Sequence, residues 1–269
     1  MNDQEYQDAV ASIPHLNLTP YLPAVPHTEM LREVMTQFSK ISPFEYGIDP
    51  NKSLQARNAV NYLKEAWQGF CVIDITKQGD HMIDYFTEEI THEKVLSMGI
   101  EFDENGHAIY NPTDVGKQMT ETIKYIYSII QSPGKTRLSR LGAGKEIGWH
   151  CHAIKGKINR KHIARKGANR ATIHIPLICN NYSTHSVTKD PTNGQGIDAD
   201  QLKVLGFPEY TQHYNVGEVW MFNSIQYHKA ENKGADDRYH LLIYFDHMDP
   251  RARPMIESAI KNYQGPIIL

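Results

Sequence analysis

Cysteine is scarce in this chain. Only 3 occur among 269 residues, Cys71, Cys151 and Cys179, and no two of them form a CxxC pair. That excludes a disulfide framework and fits a reducing compartment, so a cytoplasmic location is expected. Long apolar runs are also missing. No stretch approaches the ~20 residues that span a membrane, and the N-terminus lacks the basic-then-apolar pattern of a secretory signal. Neither sign of charge dominates: the formal net charge is −3, which gives no reason to expect nucleic acid as a partner. The one basic exception is the run from Lys155 to Lys166, which reads as a solvated loop or as a rim that attracts an anion. There is no internal repeat and no low-complexity tract. What remains is an ordinary globular composition, long enough for one large domain or two small ones, with the oligomeric state open.

The texture of the chain changes part-way. Residues 1–26 hold four prolines and little periodicity, and are expected to lie as an extended arm over the body. Helical spacing runs through 27–39, 54–67, 80–96 and 114–131; Met119, Ile123, Ile126, Tyr127 and Ile130 form the apolar stripe of the last. A short apolar strand is expected at 69–75. From Thr136 onward short β-rich runs take over, at 136–141, 146–152, 170–179, 212–214, 218–223 and 238–246. The polar interval 180–210 has the size of a lid or binding loop. The tail 250–269 returns to helical character. The pattern predicts a mainly β protein with N-terminal helices, its core a sandwich or jelly roll. The expected division is a helical or α+β support region over 1–134, a β core over 135–250 and a helical tail over 251–269, packed as one unit.

The chemistry-bearing residues cluster in the second half. His150 and His152 stand two apart, so on a strand both face the same side. His228 is expected to arrive from a partner strand. Imidazoles meeting on one side of a metal leave its other side open. Arg238 lies ten residues after His228, room for a turn and a returning strand. The run Leu-Leu-Ile-Tyr-Phe after it reads as a buried strand, and a buried guanidinium needs an anion. His174, in the apolar run Ile173-His-Ile-Pro-Leu, is either a core histidine or a contact to a ligand. Asn232 either orients the loop after His228 or sits in a turn.

These residues carry a resemblance. The segment Arg137-Leu-Ser139 through Gly144 to His150 keeps an eleven-residue interval between Ser139 and His150, and His228 and Arg238 are ten apart. Together with Arg170-Ala-Thr-Ile-His174-Ile-Pro-Leu, this resembles the aspartyl/asparaginyl β-hydroxylase type of 2-oxoglutarate- and iron(II)-dependent oxygenase, over roughly residues 135–250. The resemblance implies a double-stranded β-helix, a jelly roll of cupin-like form flanked by helices. It implies His150 and His228 as iron ligands, Arg238 and Ser139 on the distal carboxylate of 2-oxoglutarate, and His174 against the cosubstrate. Fe(II), 2-oxoglutarate and O2 are the implied cofactors. Succinate and CO2 are the implied co-products, and the substrate is an amino-acid side chain, free or in a peptide or protein.

Two positions depart from the family pattern. His152 stands where the family usually has Gly, offering a third ligand to iron. Thr172 stands where the family often has Arg, and the nearest guanidinium is Arg170, one strand repeat away. An alternative reading stays open at this point. Gly144, His150 and His152 also match the start of one cupin motif, and His228 and Asn232 the end of another, as in a three-His cupin-type metal protein, cofactor-free dioxygenase or isomerase. Both readings share the fold; only the oxygenase reading uses Arg238 and Ser139.

Overall fold

One strand shows how the fold divides its residues between core and chemistry. In Arg238–Asp246 the odd positions Tyr239, Leu241, Ile243 and Phe245 join the main hydrophobic core, while the even positions Arg238, His240, Leu242 and Tyr244 line a cavity on the other face. Side chains alternate across a strand, so a single period-two pattern serves both faces. Its neighbour Arg170–Ile178 behaves alike: Ala171, Ile173, Ile175 and Leu177 enter the core, and Thr172 and His174 line the cavity.

The computed structural model describes residues 1–40, 44–45, 67–77, 99–104, 108–150, 170–189, 206–222, 224 and 226–268. Its strands are β1 (Leu16–Asn17), β2 (Phe44–Glu45), β3 (Trp67–Asp74), β4 (Asn111–Pro112), β5 (Thr136–Leu141), β6 (Lys145–His150), β7 (Arg170–Ile178), β8 (Ser183–Thr188), β9 (Tyr210–Gln212), β10 (Trp220–Phe222), β11 (Tyr227–Asn232) and β12 (Arg238–Asp246). The helices are α1 (Asp3–Ser12), α2 (His27–Lys40), α3 (Thr120–Ile129) and α4 (Arg253–Lys261). Among the described residues the strands form two antiparallel sheets. The larger has the order β1-β10-β7-β12-β5-β3-β2, with β4 added on β3, and the smaller has the order β6-β11-β8-β9. The cavity lies between them. This is the jelly-roll architecture that the run of short strands predicts.

The helices cover the outer face of the larger sheet. Tyr6 and Val10 of α1, Met30 and Val34 of α2, Ile126 and Ile129 of α3 and Ile256 of α4 share one core with Phe70, Leu138, Ile173 and Leu241 of the strands. Each such side chain, fully buried, contributes roughly 1.5–3 kcal/mol. The helices are also tied by charge: Glu33 of α2 accepts from the backbone N–H of Glu121 and Thr122 at 2.9 and 3.0 Å, satisfying donors that the start of α3 cannot pair itself. No described helix is long and apolar enough to cross a membrane.

Several expectations need correction. The first residues are not an extended arm. Asn2 and Glu5 make a reciprocal capping box, and Tyr6 and Val10 bury one face of α1. Residues 16–17 then pair with β10 at the edge of the larger sheet. Trp67, expected at the end of a helix, opens β3; residues 54–66 and the helix expected at 80–96 lie outside the described residues. The helix expected from 114 is shorter: a 3-10 turn at Gly116–Gln118 precedes α3. The interval 180–210 is not all loop, because β8 pairs along β11 from Ser183 to Thr188. Its polar residues hide the strand, yet Ser183, His185, Ser186 and Thr188 are buried. A further strand, β11, carries His228. Cys71 and Cys179 are free thiols, and Cys151 lies outside the described residues.

Candidate metal and cosubstrate site

The turn from β5 to β6 needs positive φ at Gly144 (68°), which glycine adopts without strain. It returns the chain so that β6 ends at His150 alongside β11. His150 and His228 are register partners across this pair, and their ring centroids lie 4.2 Å apart. Each ring is oriented from behind. His150 Nδ1 lies 2.8 Å from the carbonyl of Gly148, and His228 Nδ1 lies 2.9 Å from that of Gln226. A carbonyl only accepts, so Nδ1 carries the proton and Nε2 carries the lone pair in both rings. Anchoring one imidazole nitrogen to a carbonyl is how proteins orient histidines for metals. Burial drives both pKa values down, His228 well below the usual range, so both rings are neutral at pH 7. Two neutral, oriented Nε2 donors suit a borderline divalent metal such as iron(II). Among the described residues no group of three His, Cys, Asp or Glu is arranged around a metal, and His152 lies outside them.

These rings line one cavity with Ser139, Arg137, His174, Arg238, Thr172 and Tyr244. Register explains the convergence. Ser139 of β5 pairs with His240 of β12, and Arg137 pairs with Leu242, which in turn pairs with His174 of β7. Pro176 of β7 lacks an N–H and sits where the β7–β12 register slips by a residue.

Arg238 is 4 % exposed at the bottom of this cavity. Its Nε–H donates to His240 Nε2 at 2.9 Å, and Nη2 lies 2.9 Å from His240 Nδ1. Burial lowers its pKa only to about 10, so the guanidinium stays charged, while His240 is held neutral by burial and by that cation. Among the described residues that line the cavity there is no carboxylate, and Arg137 adds a second guanidinium. A desolvated cation such as Arg238 in this setting calls for an anion. Ser139 Oγ accepts the indole N–H of Trp67 at 2.7 Å, so its own proton can point elsewhere.

The structure brings five of the residues singled out in sequence to one cavity: His150, His228, Arg238, Ser139 and His174. Arg170 is not among the lining residues; its guanidinium carbon lies 5.0 Å from the centre of the Tyr244 ring. Sequence reasoning missed Trp67, Arg137, His185, Phe222 and Tyr244. For Arg137 and Tyr244 the signal was available: each shares strand parity with a chosen residue, Arg137 with Ser139 and Tyr244 with Arg238. Arg137 Nη2 donates to Tyr244 OH at 2.7 Å within the cavity wall.

Residues 108–248, the β core that holds this cavity, match the profile of the family described as Aspartyl/Asparaginyl beta-hydroxylase. The chain belongs to that family. It is therefore a 2-oxoglutarate- and iron(II)-dependent oxygenase, and the cupin reading is not needed. No curated protein sequence matches it. Among solved structures, the epimerase SnoN in complex with Fe3+, alpha ketoglutarate and nogalamycin RO is 10% identical, with a TM-score of 0.51 and coverage of 98% of this chain and 92% of that one. That likeness shows the fold. The alpha ketoglutarate dependent carbocyclase SnoK from nogalamycin biosynthesis is 9% identical, with a TM-score of 0.49 over 91% of this chain and 84% of that one.

Proposed function

We propose that His150 and His228 hold the iron(II) of this family member, and that Arg238 and Ser139 grip the distal carboxylate of 2-oxoglutarate. The observation that carries this reading is that two neutral Nε2 donors and the buried Arg238 guanidinium share a single cavity, with no carboxylate among its described lining residues. Iron supplies the redox chemistry when bound, using O2 and 2-oxoglutarate and leaving succinate and CO2. The chain's own residues do the rest. Arg238 fixes one end of the cosubstrate with a two-pronged donor, and His240 behind it prevents the guanidinium from swinging away. His174, packed edge-on to Phe222 at 5.1 Å, closes the wall beside it. Leu242, Ile147 and Phe222 keep the cavity dry.

The reaction we assign is hydroxylation of a C–H bond in an amino-acid side chain, free or within a peptide or protein. Family membership supports it. So does the wall: Arg137 packs against Tyr244 there, and Arg170, outside the lining, stacks on the same phenol ring, a setting that favours a substrate bearing a carboxylate. His152 is proposed as an additional ligand from the segment that follows β6. Anaerobic titration of the iron(II)-loaded protein with 2-oxoglutarate tests the site. A weak metal-to-ligand charge-transfer band should grow to saturation, and its absence would overturn the assignment. Turnover with acidic amino acids and peptides then tests the substrate class through succinate release coupled to a product 16 Da heavier.

A further inference from the structure

We propose that Tyr214 is a redox-active residue that drains oxidising equivalents from the iron site when no substrate is in reach, with His15 as its proton acceptor and Trp220 as its outlet to solvent. This rests on His228 being an iron ligand. Behind the cavity wall a row of rings leads away from that ligand. The His228 ring stacks at 5.7 Å on His185, His185 stacks at 5.6 Å on Tyr214, and Tyr214 stacks at 5.0 Å, nearly parallel, on Trp220. Tyr214 is buried and does not line the cavity, whereas Trp220 is partly exposed. Each gap is short enough for electrons to cross between rings.

The hydrogen bonds are arranged for proton-coupled oxidation. His15 Nε2 lies 2.8 Å from the carbonyl of Tyr210, so that nitrogen carries the proton. His15 Nδ1 is then the acceptor for the Tyr214 hydroxyl, 2.7 Å away. The charged phenolate is disfavoured by burial, so electron and proton must leave together. Trp220 has its own acceptor: its Nε1–H donates to Glu218 Oε2 at 2.7 Å.

The steps balance. Iron held by His150 and His228 would supply the oxidising equivalents when 2-oxoglutarate is consumed with no C–H bond in reach. Tyr214 would then give up one electron towards it by way of His185 and His228. The Tyr214 O–H bond breaks and its proton moves to His15 Nδ1, giving a neutral tyrosyl radical and an imidazolium. Trp220 then returns an electron to Tyr214. The proton on His15 goes back to the phenol oxygen, and the indole proton passes to the Glu218 carboxylate. A thiol or ascorbate in solution reduces the indolyl radical and restores its proton. A tyrosine kept only for packing and hydrogen bonding would do none of this.

The test uses the iron(II)-loaded full chain with 2-oxoglutarate, mixed with O2 in the absence of substrate and frozen at intervals for electron paramagnetic resonance. The charge-transfer band recorded first, without O2, reports whether the iron site is formed. The expected result is an organic radical whose signal narrows when the protein carries ring-deuterated tyrosine. It should be lost in Tyr214→Phe, fall several-fold in His15→Leu, and outlive the wild-type signal several-fold in Trp220→Phe. Peptide mass spectrometry of wild-type protein after many such turnovers should find oxidation at Tyr214 and Trp220, which decides the matter even where the Tyr214 variant fails to fold. With the band present, the absence of a radical, a radical indifferent to tyrosine labelling, or one retained in Tyr214→Phe overturns the inference. Absence of the band overturns the iron site and this chain of rings with it.

Discussion

Arg238 Nε stands 2.9 Å from His240 Nε2, two residues along the same face of β12. A cation of this kind is usually matched by a carboxylate; here an uncharged imidazole holds it in place and leaves its charge to a ligand. Arg238→Ala should therefore weaken 2-oxoglutarate binding by ~2–5 kcal/mol, a factor of tens to thousands. Iron affinity should stay nearly constant. Titration of the charge-transfer band against 2-oxoglutarate reads the first quantity and iron content after dialysis the second. Wild-type cosubstrate affinity in this variant would remove Arg238 from the site.

His150→Ala and His228→Ala should each abolish tight iron binding, because each removes one of very few protein ligands. Apoprotein stability should change much less for His150, which is only partly buried, than for the buried His228. His152→Ala should weaken iron binding less than either. Metal content by mass spectrometry on folded protein, confirmed by circular dichroism, decides it; undiminished iron in the His228 variant would rule out the site.

Ser139→Ala removes a hydroxyl that accepts from Trp67 and faces the same cavity as Arg238. A hydrogen bond to a carboxylate is worth ~1.5–3 kcal/mol, so 2-oxoglutarate affinity should fall by a factor of about ten to a hundred. That is less than the full Arg238 effect. A loss as large as that of Arg238→Ala would mean that Ser139 acts by holding Trp67 and the wall in place.

Asn232 is fully buried and is the knot that joins β11 to the turn before β6. Its Nδ2 donates to the carbonyls of Leu141 and Gly142 at 3.0 Å, and its Oδ1 accepts from Asn180 at 2.8 Å and from Ser183 at 3.0 Å. Asn232→Ala leaves buried partners unsatisfied, each at ~1–3 kcal/mol. The urea midpoint should fall without a change of slope. A variant as stable as wild type would show that water replaces the side chain.

The metal-free protein should lose stability as pH falls below neutrality. Burial holds His15 at about 4 and His174, His185 and His240 well below their ordinary value, the Arg238 cation adding to the effect on His174 and His240. The unfolded chain protonates these rings at about 6.5 and the folded chain refuses the proton. Their neutral state therefore favours folding in full above about 6.5, and that contribution drains away as pH drops towards each folded value. Each ring adds up to ~1.4 kcal/mol per pH unit in that window. Urea midpoints at pH 7 and pH 5 should differ clearly, and His15→Phe should flatten the dependence. Equal midpoints would contradict it.

The site was more legible than the frame around it. The intervals from Ser139 to His150 and from His228 to Arg238 are legible because each spans a short connection from one sheet to the other, β5 to β6 and β11 to β12, and both ends must face the cavity between the sheets. The buried run after it gave Arg238 its inward face. Strand parity would also have yielded Arg137, two residues before Ser139, and Tyr244, six after Arg238. β8 was hidden because its buried face carries Ser and His rather than aliphatic residues. α1 was hidden because prolines just beyond it outweighed the Asn2 and Glu5 cap. Trp67 reads equally as the last apolar position of a helix or the first of a strand, and only its pairing opposite Leu141 decides.

The split personality of β12 has a consequence for how this sequence can drift. Its odd residues answer to the helices and its even residues to the cavity, so the two sets are under different kinds of selection although they are interleaved letter by letter. Substitutions at Leu241 or Ile243 should cost soluble protein, and those at Arg238 or His240 should cost turnover in protein that still accumulates. An inserted or deleted residue within the strand would exchange the two sets at once. A single substitution along β12 therefore retunes one face alone, whereas a change in the strand's length disturbs both unless a bulge absorbs it.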